Sequence, residues 1–262
     1  MILPDYPQRI VCLTEETTEF LYLLGEEKRI VGISAYTCRP PQAKEEKPVV
    51  SAFIGGSIKK IKALQPDLVV GFSDVQADLA RDLIRENLQV LITNQRTIAE
   101  ILGVLQLIGR IVGAEDRADA LIAGYQARLE AIRASHSQPR RPRVYFEEWD
   151  DPMISAIQWI SELIEIAGGQ NIFADRASGR ASRERFVTGA EVVERAPDIY
   201  IGCWCGKPLD RQSVIERPGF GEIPAIGNGR IYEMDPAVVL QPGPACLTDG
   251  LDELCRIIDE TQ

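Results

Sequence analysis

Short apolar runs alternate with stretches of helical periodicity along most of the chain. Residues 9–13 (Arg-Ile-Val-Cys-Leu) form an apolar run bounded by polar positions, and Thr14 offers an N-cap to a helix carrying Phe20, Leu21, Leu23 and Leu24 up to Gly25. Further strands are predicted at 29–33, 68–71 and 90–92. They are separated by the Pro40-Pro41 loop, a helix over 58–64 closed by Gln65-Pro66-Asp67, and a helix over 75–86. Alternation of this kind predicts a mostly parallel sheet flanked by helices. Between 97 and 136 the period changes. Ile98, Ile101, Leu102, Leu105, Ile108, Val112, Leu121, Ile122, Tyr125 and Leu129 recur at three- and four-residue steps, which predicts a long helix with a candidate break at Gly113.

The proline- and arginine-rich string 138–143 closes that helix, and the alternation resumes. Strands are predicted at 144–146, 198–202 and 230–233, with helices over 159–167, 190–195 and 246–258. The phrases Ala-Leu-Gln-Pro-Asp-Leu-Val-Val at 63–70 and Arg-Ala-Pro-Asp-Ile-Tyr-Ile at 195–201 both read as helix end, proline turn, buried strand. The fold expected is α/β with two Rossmann-like lobes, 1–96 and 138–262, joined by one backbone helix over 97–137.

At 262 residues the chain is long enough for two cores. Lys plus Arg is 29 against 39 for Asp plus Glu, a formal charge of −10, which argues against a nucleic-acid or anionic-membrane surface and for a neutral or cationic partner. Charges interrupt every hydrophobic run, so none approaches the ~20 apolar residues of a membrane helix. The opening Met1-Ile-Leu-Pro-Asp-Tyr-Pro passes into a strand without a basic or long apolar leader. The expected location is cytoplasmic as written, and periplasmic for a chain trimmed of its leader.

Six cysteines, Cys12, Cys38, Cys203, Cys205, Cys246 and Cys255, are too few to build a fold of this size on disulfides. Cys203-Trp-Cys205 lacks the two-residue spacer of zinc ribbons. Cys38, Cys203 and Cys205, with nearby carboxylates, form the candidate metal set. The lone His136 lies away from the strand ends, so haem ligation would rest on tyrosine or cysteine. No Gly-x-Ser-x-Gly elbow, P-loop, His-Glu-x-x-His or dinucleotide glycine loop is present, and no enzyme activity is expected. Glu147 with Asp150 is the nearest approach to a catalytic carboxylate pair, and a solvated loop accounts for both.

The segments 10–25, 31–43 with Tyr36 and Pro40-Pro41, 57–71, 143–173 with Gly168-Gly169-Gln-Asn-Ile-Phe173, and 190–202 carry a resemblance to a known family. They resemble the helical-backbone (class III) substrate-binding proteins, the cobalamin and ferric-siderophore receptors of ABC importers, and the cobalamin receptors most. The resemblance implies a monomeric solute-binding protein with a ligand cleft between its lobes, and a corrinoid or related metal chelate as ligand. No cofactor is required; cobalamin is the candidate ligand, with haem or a metal ion as the alternative. By position it places Tyr36, Phe53, Phe72, Trp149, Met153, Trp204 and Asp235 at the ligand, and the stiff turn at 240–245 adds Gln241. Importer-bound relatives carry an acid on each lobe to dock on the permease. The aligned positions here are Lys59 and Ala190, with Glu191 adjacent, which argues against standard docking. Glu15, Glu16, Asp74, Glu147, Glu148, Asp150, Asp151 and Asp235 map to strand-end loops, an acidic mouth that disfavours a catecholate chelate and suits cobalamin. The helix dipole alone also accounts for Glu15 and Glu16.

Overall fold

The computed structural model describes residues 6–136 and 140–261. Two compact units are formed, one from the chain up to Gln95 together with Ala99–Gly124, the other from Arg96–Ile98 together with the chain from Tyr125 onward. The boundary expected at 137/138 lies outside the described residues.

The first unit is a five-stranded sheet of β1 (Ile10–Cys12), β2 (Ile30–Ser34), β3 (Val49–Ser51), β4 (Leu68–Phe72) and β5 (Val90–Thr93), in the order β3-β2-β1-β4-β5. Every pairing is parallel. Burial of strands on both faces explains their continuous apolar runs. Val11, Leu13, Val50 and Val69 pack with Ile61, Leu79 and Leu83 of the flanking helices Ile58–Ala63 and Ala77–Arg85.

The second unit holds β6 (Arg143–Asp150), β7 (Met153–Ser155), β8 (Gln170–Asn171), β9 (Ile199–Gly202) and β10 (Ile231–Glu233). The order is β10-β9-β6-β7, with β8 paired to the start of β6. β7 runs antiparallel and the other pairings are parallel. β6 continues well past Phe146, where the sequence pattern ends it, because the two glutamates that follow have buried partners.

The Pro-Asp echo has one physical meaning in both units. Asp67 accepts the backbone N–H groups of Gln8 and Arg9 at 2.7 and 2.9 Å, and so ties the start of β1 to its neighbour β4. Asp198 accepts the Arg143 N–H at 2.9 Å and ties β6 to β9 in the same way.

The segment expected as one backbone helix is two, Ile98–Ile111 and Glu115–Ser135. The break falls at Gly113, whose φ of +68° is the left-handed conformation glycine adopts without strain. A Cβ there would stand 2.5 Å from the Tyr6 ring. Gly113→Ala is therefore expected to destabilise the chain by about 1 kcal/mol or more, read as a lowered Tm. Among the described residues no helix is long and apolar enough to cross a membrane.

Candidate functional site

Parallel strands in each unit direct their carboxyl ends, and the loops that follow, to one edge of the sheet, where open α/β sheets take ligands. In the first unit Tyr36 follows β2 and Phe53 follows β3. Their rings meet edge to face at 6.5 Å and 79°, and both stay open to solvent at 54% and 38% exposure. Ile54 and Val75, on the loops after β3 and β4, are also exposed. Exposed apolar side chains on these strand-end loops make them a candidate binding face. Phe72, expected to stand with them, is buried instead.

One buried amide ties these loops together. The Gln76 Nε2 donates to the carbonyls of Phe53 at 2.8 Å and Leu13 at 3.3 Å, while its Oε1 accepts the Phe72 N–H at 3.0 Å. Loops after β1, β3 and β4 thus share one clamp. Gly71 makes room for it, since a Cβ there would lie 2.5 Å from that Oε1. Gln76 carries no signal in the sequence, because its spacing does not distinguish it from a surface glutamine.

Glu15 and Glu16 open the helix Glu15–Leu23 directly after β1. The helix dipole stabilises acids in this turn, yet each is only 3% exposed and not part of an open mouth. Burial pushes the Glu15 carboxyl up, and burial plus the neighbouring Glu15 charge pushes Glu16 up to about 8. The Thr14 hydroxyl donates to Glu16 Oε1 at 2.6 Å.

At the end of β6, Glu147 is fully buried, not the mouth residue expected. It accepts the hydroxyls of Tyr145 at 2.9 Å and Tyr200 at 2.6 Å, the Trp204 indole N–H at 3.0 Å, and two N–H groups of Arg217 at 2.7 and 3.0 Å. Burial, then the Glu147 charge, pushes both tyrosines well above their ordinary value. Burial opposes the Arg217 charge, but Glu147 outweighs it and the guanidinium pKa rises. Trp204, expected as a stacking face, is a core residue whose N–H needs this carboxylate. Glu148 is pushed up by burial, a rise that Arg185 at 2.8 Å partly offsets. Asp150 pairs with Lys207 at 2.7 Å. Glu147 and Asp150 are thus committed to other partners, which leaves no catalytic pair between them.

The remaining candidates have local partners. Lys207 Nζ stands over the Trp149 ring at 4.6 Å and the Trp204 ring at 4.9 Å. The Trp149 N–H donates to the Asp151 carbonyl at 2.9 Å. Trp149 and Met153 are partly buried against the core of the second unit. Asp235 is exposed and accepts the Ala237 N–H at 2.8 Å, capping the turn Pro236–Val239. Gln241 is half-buried in the turn before the last helix. Lys59 and Ala190 are exposed, whereas Glu191 is held by Arg176 and caps its own helix at Thr188, contacts that lower its pKa to about 2.

Among the described residues no three His, Cys, Asp or Glu side chains are placed to hold an ion. Cys203 is buried, and desolvation followed by nearby acids pushes its thiol well up. Burial likewise pushes Cys12 up to about 12. Brief alkylation of the folded protein should label exposed Cys205 and spare Cys12, Cys203 and Cys246; mass spectrometry of the peptides reads the order.

The chain is 26% identical over 262 residues to the uncharacterized ABC transporter substrate-binding lipoprotein YvrC of Bacillus subtilis, covering 96% of this chain and 80% of that one. It is 24% identical over 252 residues to the vitamin B12-binding protein of Vibrio campbellii, covering 95% and 88%. A periplasmic heme binding protein from Pseudomonas aeruginosa shares the fold at a TM-score of 0.80 and 22% identity, over 96% of this chain and 92% of that one. Residues 10–238 match the family described as periplasmic binding protein, so the chain belongs to the periplasmic binding protein family.

Proposed function

We propose that this chain holds a cobalamin-like corrinoid on its strand-end loops and leaves it chemically unchanged. The observation that carries this reading is the exposed Tyr36–Phe53 pair. A large, flat, partly apolar macrocycle gains most from aromatic faces already in place, with a few polar groups for its rim. The vitamin B12-binding relative, aligned along nearly the whole chain, supports the same ligand class. Titration with cyanocobalamin and hydroxocobalamin, followed by tryptophan fluorescence and calorimetry, tests it. Saturable one-to-one binding is expected; silence at high micromolar ligand would remove the corrinoid.

Haem is the second reading. It is favoured by the exposed Tyr36 phenol, since tyrosine is a haem iron ligand in some proteins. A Soret band that shifts on Tyr36→Phe would replace the corrinoid reading with this one. A transporter partner is part of the proposal, as the name of the Bacillus relative suggests. With Lys59 and Ala190 at the aligned docking positions and Glu191 engaged by Arg176, we propose that any such contact does without the usual acid pair.

A further inference from the structure

The carboxyl end of β1 carries more buried oxygen than its surroundings satisfy. β1 is the strand from which the sheet order departs in both directions, with β2 on one side and β4 on the other. The crevice at such a point is the usual ligand site of an open α/β sheet. Beyond its own backbone amide, neither oxygen of Glu15 has a hydrogen-bond partner, and Glu16 Oε2 has none. A second loop adds an independent case. Thr37, following the adjacent β2, is fully buried and its hydroxyl is also without a partner. Native proteins leave few buried polar atoms unsatisfied, because each one opposes folding. The helix N-terminus favours negative charge on Glu15 and Glu16, and the only backbone N–H that each carboxyl meets there is its own residue's.

We propose that Glu15, Glu16 and Thr37 form a recess that grips a primary carboxamide on the rim of the ligand. A carboxamide offers two N–H donors and one carbonyl acceptor in a plane. A pair of carboxyls that keeps one proton presents the complement: the protonated Glu16 donates to the carbonyl while Glu15 accepts an N–H. The upward displacement of both acids by burial is consistent with a retained proton. Ligands whose rim carries carboxylates set like charge against Glu15 and are disfavoured. The inference rests on the solute-binding reading above and assigns its specificity: the amide-rimmed corrinoid over haem, whose rim carries propionates.

The test compares wild type, Glu15→Met and Glu15→Gln. Cyanocobalamin and haemin serve as probes by calorimetry, and Tm is measured without ligand at pH 7. Glu15→Met removes an unsatisfied buried acid at similar volume, so Tm should rise. Cyanocobalamin affinity should fall roughly tenfold or more, the scale of a lost bond to a charged group, while haemin affinity holds or improves. Glu15→Gln keeps an acceptor and should recover most of the cyanocobalamin binding. A fall in Tm with Glu15→Met would mark a structural acid and overturn the proposal, as would unchanged cyanocobalamin affinity. Failure of wild type to bind cyanocobalamin would instead remove the corrinoid reading. The melting comparison would then decide the recess by itself.

Discussion

Replacing Glu147 by Ala should cost the second unit about 3–5 kcal/mol, the usual loss when one member of a buried ion pair is removed. Arg217 would keep its charge in a largely enclosed site, and two tyrosine hydroxyls and the Trp204 indole N–H would lose their acceptor together. These groups converge on one carboxylate, so the losses are coupled. Glu147→Gln retains one acceptor and should cost less. Equilibrium denaturation followed by tryptophan fluorescence reads both variants: a lower midpoint at unchanged slope is the expected result. A Glu147→Ala loss below about 1 kcal/mol would match a surface pair and contradict the network.

Raising the pH should weaken the first unit where most proteins are steady. Glu16 titrates near 4.5 in the open chain and at about 8 when folded. Between those values the folded form binds more protons, so stability falls with rising pH. The Glu16 contribution is complete below 4.5 and lost as the pH passes through about 8. Each unit of separation corresponds to about 1.4 kcal/mol, which makes the loss on the order of a few kcal/mol. Glu15 moves in the same direction. Thermal melts from pH 5 to 9 should show a declining Tm in wild type and a flatter profile in Glu16→Gln. A wild-type Tm that climbs from pH 5 to 8 would show that these acids are solvated.

Alternation of apolar runs and helical periodicity placed the central strands of both sheets, because parallel strands buried on two faces carry a local signature. The Pro-Asp repeat was legible for a similar reason: its aspartate acts on the neighbouring strand's first amides in each unit. Gly113 marked the helix break, since glycine tolerates the left-handed turn required. The polar interior was not legible. Glu147 meets Arg217 across 70 residues of sequence, and no local pattern reveals that pairing. An isolated Glu-Glu-x-Asp-Asp run reads as a loop, so β6 seemed to end early and Trp204 seemed free to stack. Gln76 stayed hidden in the same way, its partners lying 63 and 23 residues away. Tyr36 and Phe53 were singled out by position in the family resemblance, and the structure brings the two rings together.

The most direct measurement is the cyanocobalamin affinity of wild type set against the Tyr36→Ala/Phe53→Ala double variant, with melting curves confirming that both are folded. Ligand stacked on this exposed pair predicts saturable wild-type binding that weakens by about tenfold or more in the double variant. Equal affinity in the two proteins would place the corrinoid elsewhere and contradict the strand-end aromatic face as its site.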